Sequence, residues 1–297
     1  MNNFFADCYS LTSIDLSSFN TKNVTDMYEF FSGCSSLTSI NLSNFNTENV
    51  IDMNSMFQDC ISLNFIDLSG FETSKVEEMN DMFSNCNKLV SLDLSNFNTK
   101  AVDNMNSMFE NCYSLTSLDL SNFDTKNVKV MVSMFLDCSS LIYLNISNFN
   151  NKKLTDISSM FENCKSLTSI DLSGFETIKV EKMAKMFKNC DSLKSIDLSN
   201  FKTTQLKNIN YMFEGCHSLT SIDLSPFVDD NINKINNIFD DCPSLEYIDI
   251  SSIKWINKGQ ATISDFKAKK GILIISLVLY SNLENKPNES WNVTTIT

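Results

Sequence analysis

The sequence predicts an α/β repeat solenoid, with one short parallel β-strand per unit on one side and a short helix or 3₁₀ turn per unit on the other. Three observations predict it. All ten cysteines (Cys8, Cys34, Cys60, Cys86, Cys112, Cys138, Cys164, Cys190, Cys216 and Cys242) are spaced by 26 residues. The apolar residues between them keep the same offsets from unit to unit, the mark of a stacked repeat. Each unit also shows two apolar periods in succession, one of two residues and one of three to four.

The strand half follows the cysteine. Three residues after each cysteine stands a leucine, from Leu11 and Leu37 to Leu219 and Leu245. Isoleucine or leucine comes three later (Ile14, Ile40, Leu92, Ile248), and leucine or isoleucine two beyond that (Leu16, Leu94, Ile146, Ile250). In Ile14-Asp15-Leu16 apolar and polar residues alternate, so one face is buried and the other wet. The resulting LxxLxL is the leucine-rich-repeat signature. A phenylalanine follows in nine units, Phe19 through Phe227, with Ile253 in the tenth place, and a threonine usually stands two later, as at Thr21 and Thr47.

The second half changes period. Val24, Met27, Phe30, Phe31 and Cys34 are spaced by 3, 3, 1 and 3, repeated as Val50, Met53, Met56, Phe57 and Cys60, which predicts a short helix or 3₁₀ stretch on the same core. No unit can bury its Leu, Phe and Met face alone, so units must stack. Strands ~4.8 Å apart then give a ladder roughly 45 Å long. Nearly all of the 14 methionines and 23 phenylalanines sit at these fixed positions, which marks them as core and not as a cofactor pocket.

The repeat spans residues 1–253, and residues 254–297 form a non-repeat C-terminal cap. At the start, Met1, Phe4 and Phe5 take the places of Met27, Phe30 and Phe31, so residues 1–7 are either a makeshift lid or the remainder of a longer array. Within the cap, the apolar run from Gly271 to Tyr280 is ten residues long, too short to cross a bilayer as a helix, and suits a closing strand. Residues 291–297 are expected to pair with it as an edge. Asn288-Glu-Ser and Asn292-Val-Thr match glycosylation sequons, as short triplets in an Asn-rich chain often do.

Composition excludes several functions. With 36 acidic residues against 23 basic ones, every one of the latter lysine, the net charge is −13. Nucleic-acid binding depends on neutralising phosphates, so DNA and RNA are disfavoured as partners. The opening MNNFFADCYS lacks the basic start and apolar stretch of a secretion signal. Cysteines at like positions of adjacent units have near-parallel side-chain vectors with β-carbons about 5 Å apart, whereas a disulfide wants ~3.8 Å and convergent vectors, so free buried thiols are expected. No metal or cofactor is expected, because zinc needs clustered ligands and the chain has one histidine. No enzyme is expected either. Nucleophilic triads need unique residues in a cleft, while every Ser, Cys and Asp column here is repetitive and His217 holds a variable position after Cys216.

What remains is the outward face of the strands, on the expected concave side. Its middle column reads Asp15, Asn41, Asp67, Asp93, Asp119, Asn145, Asp171, Asp197, Asp223 and Asp249, flanked mainly by serines such as Ser13 and Ser17. Phe65, Tyr143 and Tyr247 interrupt the serines. Like charges ~5 Å apart repel by roughly 0.8 kcal/mol in water and several times that at an effective dielectric near 20. Serine hydroxyls donating across the ladder, bound cations, partial protonation or a basic partner could offset this. A solvated Ser-Asp ladder and a binding face are both consistent with it. The partner-binding residues expected are the eight aspartates with Phe65, Tyr143 and Tyr247. A lysine stripe, Lys179, Lys182, Lys185 and Lys188, reads as an exposed helix face or a local anionic contact.

The unit from Cys112 to Val128, CYSLTSLDLSNFDTKNV, followed by Met131 and Met134-Phe135, closely resembles the repeat of BspA-like bacterial surface proteins, a family also known as a domain of unknown function common in mycoplasma surface lipoproteins. The resemblance covers residues 1 to about 253. It implies a leucine-rich-repeat surface protein, with adhesion to host matrix or cells as the activity, but it carries no binding residue over, because the shared motif is core. The leading expectation is a non-enzymatic protein-binding module, exported and used in attachment, whose partner is a host matrix or cell-surface protein. An intracellular interaction scaffold is the alternative. A third class is a surface-ordering solenoid that binds ice or carbohydrate through its Ser and Thr columns.

Overall fold

A computed structural model describes residues 1–227, 232–252, 271–276 and 291–296, and within them the chain winds as a stack of coils, each opening at one of the cysteines. Ile253, the sequon at Asn288 and most of the expected cap, including residues 277–280 of the apolar run, lie outside the described residues.

On one side lie short parallel strands. β1 (Ser39–Asn41) pairs with β2 (Phe65–Asp67), and β3 (Ser117–Asp119) pairs with β4 (Tyr143–Asn145). β5 (Ser221–Asp223), β6 (Tyr247–Ile250), β7 (Gly271–Ser276) and β8 (Trp291–Ile296) form a four-stranded parallel sheet in that order. The expected ladder is therefore real in direction and register but discontinuous. Among the described residues it forms only where the later strand of a pair opens with Phe65, Tyr143, Tyr247 or Trp291, or with the apolar run at Gly271. Aromatic and branched residues favour the pleated surface, and coils that carry serine there leave the ladder open.

The other side corrects the helix expectation. Among the described residues there is no α-helix and no 3₁₀-helix, and the segment is a train of tight turns. Phe30 N–H donates to Met27 C=O and Cys34 N–H to Phe31 C=O, each closing a four-residue turn. The third residue of each turn has positive φ, Glu29 at 52° and Gly33 at 73°, as in a type II turn. The same two offsets are left-handed in coil after coil, through Asn237 and Asp241. A left-handed residue every fourth position stops right-handed winding, yet it returns an apolar side chain to the core every three or four residues, so the sequence period alone could not separate the two structures.

These turns carry the stacking bonds. The N–H groups of Met27, Glu29, Phe31 and Gly33 donate to the carbonyls of Asp52, Asn54, Met56 and Gln58 in the next coil, at 2.8–3.0 Å. Those of Phe30, Ser32 and Cys34 close turns within the coil, and Tyr28 N–H donates to Asp26 Oδ1 at 2.8 Å. Eight consecutive donors are thereby satisfied with no helix present. Parallel bridges run without a gap from Asp26 to Lys234 along this side.

Between the two sides the core repeats by column. Phe31, Phe57, Phe83, Phe109, Phe135 and Phe161 stack face to face with centroids 5.6–5.8 Å apart. Each cysteine from Cys34 onward donates its S–H to the phenylalanine carbonyl of the preceding coil, as Cys60 does to Phe31 at 3.2 Å, so these free thiols are more than apolar filler. Thr21, Thr47, Thr73 and Thr177 bind the next coil reciprocally: Thr47 Oγ1 donates to Glu72 C=O at 2.8 Å and accepts from Glu72 N–H at 2.7 Å. β7 joins the sheet with Tyr247 opposite Ile272, a step of 25 residues where 26 was expected, which sets Leu273 against Ile248 in the core. Trp291 of β8 packs over Gly271, where a β-carbon would come within 2.7 Å of the indole ring.

Asp137, with φ 62°, tests the left-handed columns. Asp137→Gly is expected to leave urea unfolding near wild type, whereas Asp137→Val loses about 1–2 kcal/mol, because a branched side chain clashes in that conformation.

Candidate functional site

The aspartate column lies on the outward face of the strand stripe, where Asp15, Asp93, Asp119, Asp171, Asp197 and Asp223 are exposed and Asp67 and Asp249 half-buried. In every coil the column residue folds back on its own chain. Asp15 Oδ1 accepts from Ser17 N–H at 2.9 Å, Asp119 from Ser121 at 2.9 Å and Asp249 from Ser251 at 2.9 Å. Asn41 and Asn145 do the same for Ser43 and Ser147, at 2.9 and 3.2 Å. The turn therefore needs a side-chain oxygen and not a charge.

This answers how the column tolerates its own repulsion. The serine backbone N–H, aided by the hydroxyl, holds the Asp15, Asp67, Asp93, Asp119 and Asp171 carboxyls below the ordinary range; at Asp197 the Ser199 hydroxyl leads and the N–H supports it. Partial protonation, one of the expected remedies, runs against that direction. The bonding is also local to each coil, two residues along the chain, and not across the ladder as expected.

Charges on the turn side behave differently. There Lys129 pairs with Asp103, Lys182 with Asp156 at 3.0 Å, Lys207 with Glu181 at 2.7 Å and Lys188 with Glu214 at 3.0 Å, each across one coil boundary. Lys185 lies 3.8 Å from Glu162. Three of the four lysines in the predicted stripe are thus committed to neighbouring carboxylates, on turns and not on a helix. Among the described residues no ion pair reaches the aspartate column.

Of the three aromatic interruptions, Phe65 is 58% and Tyr143 55% exposed, and Tyr247 is half-buried. Each stands two residues before the column residue of its strand and so shares its outward face. Sequence reasoning missed further exposed apolar residues, among them Ile61, Val90, Tyr113 and Ile142. For Val90 and Ile142 the signal was departure from a column, since they stand where Thr12, Thr38, Thr116 and Thr220 stand in other coils; Ile61 and Tyr113 hold the same variable place as His217. His217 was also underestimated. Its Nδ1 lies 2.9 Å from Asp191 Oδ1 in the preceding coil and its Nε2 3.1 Å from Asp241 Oδ2 at the end of its own, so one ring ties both together. The bond to Asp191 raises its pKa from the ordinary 6.5; desolvation opposes this, and the weaker contribution of Asp241 adds to the rise.

The family described as Mycoplasma protein of unknown function, DUF285, matches residues 1–116, 66–170 and 155–271. The chain belongs to this family. Each match takes in several coils, so the DUF285 pattern follows the coil stack along its length. Among solved structures, a leucine-rich repeat protein from Bacteroides ovatus is 20% identical over 92% of this chain and 88% of its own, with a TM-score of 0.35. A leucine rich cell surface protein from Faecalibacterium prausnitzii is 18% identical over 88% of this chain and 80% of its own, at 0.31. The functional domain of InlJ from Listeria monocytogenes, which includes a cysteine ladder, is 15% identical over 96% of this chain and 73% of its own, at 0.23. No curated protein matches the chain.

Two outcomes follow for the DUF285 chain. Asp67→Asn is expected to keep the stability of the wild type, because asparagine already serves this turn at Asn41 and Asn145, whereas Asp67→Ala loses about 0.5–1 kcal/mol in urea unfolding with the bond to Ser69. The His217 clip gives a pH signature. Its folded pKa is raised, so its stabilisation is complete below the unfolded value of 6.5 and fades as pH rises through the folded one. Against His217→Ser, which carries the residue of Ser35 and Ser139, the wild-type advantage in thermal midpoint is expected to be largest near pH ~6 and to shrink by pH ~9.

Proposed function

We propose that this DUF285 solenoid is a non-enzymatic protein-binding module of the cell surface, used in attachment to a basic region of a host matrix or cell-surface protein. Residues 1–253 serve as the binding solenoid and 254–297 as its C-terminal cap. Contact is made by Asp15, Asp67, Asp93, Asp119, Asp171, Asp197, Asp223 and Asp249, with Phe65, Tyr143 and Tyr247 as apolar anchors. One observation carries the reading. On the turn side lysines neutralise carboxylates across coil boundaries, while the strand side keeps a column of carboxylates without lysine partners among the described residues, at positions where asparagine would satisfy the turn equally well. An aligned row of ionised groups over a dry core steers and holds a cationic partner. The surface location rests on the resemblance of the repeat to BspA-like proteins.

The triple variant D93N/D119N/D171N removes three charges and leaves the turns intact. Binding of the full chain to a panel of purified basic matrix proteins, followed by biolayer interferometry at low and high salt, should weaken about tenfold in the variant and show a smaller salt dependence. Equal binding by variant and wild type, or a panel with no salt-sensitive binder, would remove the acidic face from the reading.

A further inference from the structure

Six of the twelve large apolar side chains exposed among the described residues, Ile61, Phe65, Val90, Tyr113, Ile142 and Tyr143, fall in four successive coils, those opening at Cys60, Cys86, Cys112 and Cys138. Each is between 42% and 59% exposed; Phe65 and Tyr143 open β2 and β4, and the other four lie within four residues after the cysteine of their coil. Phe65, Val90, Ile142 and Tyr143 stand four or five places after their cysteine, so stacking aligns them in a strip along the solenoid axis, with Thr116 and Ser117 between Val90 and Ile142. Exposed apolar surface of this kind marks a site of association. Beside it run Asp67, Asp93 and Asp119, with Asp67 two residues beyond Phe65 on the same outward face and so about 6.6 Å from it. Lys88, two residues before Val90, is exposed as well.

The occupant must therefore present an apolar row and a basic row side by side, both repeating at the coil spacing. An extended segment fails on both counts: alternate residues point to opposite faces, and same-face residues repeat every ~6.6 Å. An α-helix meets both. Its pitch of 5.4 Å against a coil spacing of about 4.8 Å drifts by only ~2 Å over three coils, and neighbouring stripes of one helix can be apolar and cationic. We propose that the strip seats a basic amphipathic α-helix of a partner protein, laid along the solenoid axis. Its apolar stripe covers Phe65, Val90, Ile142 and Tyr143, its lysine or arginine stripe covers Asp67, Asp93 and Asp119, and the part of it that meets Lys88 is neutral or acidic. The inference rests on the acidic-face reading above and narrows it to one region and one class of partner.

The probes are two labelled peptides of equal composition, length and net charge, one with its leucines and lysines in adjacent helical stripes and one scrambled to abolish both stripes. Fluorescence anisotropy measures their binding to the full chain and to V90T/I142T/Y143S, in which each substitution installs the residue that other coils carry at that offset. Thermal unfolding of the variant checks that the coils remain stacked. Expected is an affinity about tenfold higher for the striped peptide, abolished in the triple variant while the weaker scrambled binding persists. Equal affinity for the two peptides, or a preference that survives the triple variant, overturns the helix proposal. If both bind equally and D93N/D119N abolishes both, the acidic-face reading stands and the helix falls; if neither binds at low salt, both fall.

Discussion

The fold depends on backbone bonds made by residues in an unfavourable conformation. On the turn side alternate N–H groups cross to the next coil, and the intervening ones close turns within their own. That alternation exists only because two offsets per coil hold positive φ, at a cost near 1–2 kcal/mol for an ordinary residue. Composition reduces the cost at the offset before each cysteine, where every residue is Asp, Asn or Gly, the types that best tolerate it. At the earlier offset Lys185 and Tyr211 also adopt it, so stacking on both sides overrides local preference there.

The side chains reinforce that geometry. A carbonyl that accepts one bond from its own turn has a second lone pair, and at Phe31 the Cys34 N–H takes one and the Cys60 thiol the other. Cysteine suits this place because it is small, apolar enough for a dry column, and still a weak donor. Burial pushes the thiol up, to about 11 at Cys34 and about 12 at Cys112 and Cys242, far from the thiolate that oxidation or metal binding requires. Repetition of a reactive residue type therefore produces an inert column.

Most of this was legible from the sequence wherever a residue type recurred. Leu94, Phe97, Met105 and Phe109 are buried as the spacing required, and the Ile14-Asp15-Leu16 alternation fixed which face is wet. The turn train was misread as helical because period reports where side chains point and not which carbonyl an N–H finds. The signal that separates them, the Asp7, Gly33, Asp59, Asn85 column, is a statement about φ hidden in residue identity. His217 was lost for the opposite reason. Its partners, Asp191 and Asp241, are unremarkable alone and come together only when a coil offset places them on either side of the ring.

In a repeat protein a column explains structure, and a departure from a column needs another cause. The aspartates satisfy a turn that asparagine satisfies equally, so the carboxylate is the excess over structural need. Thr116 and Thr220 show what the fold asks of the offset that Val90 and Ile142 fill with exposed apolar surface. Phe65 and Tyr143 have a double part, since they open the later strand of a local pair while remaining more than half exposed. Burying them against a partner would add apolar area without disturbing the core, because the strands beneath are already fixed by Ile66 and Leu144. A solenoid can therefore vary its contacts on this face coil by coil while the turn side, with its unbroken bonds and cross-coil ion pairs, keeps the spacing against which a partner is matched.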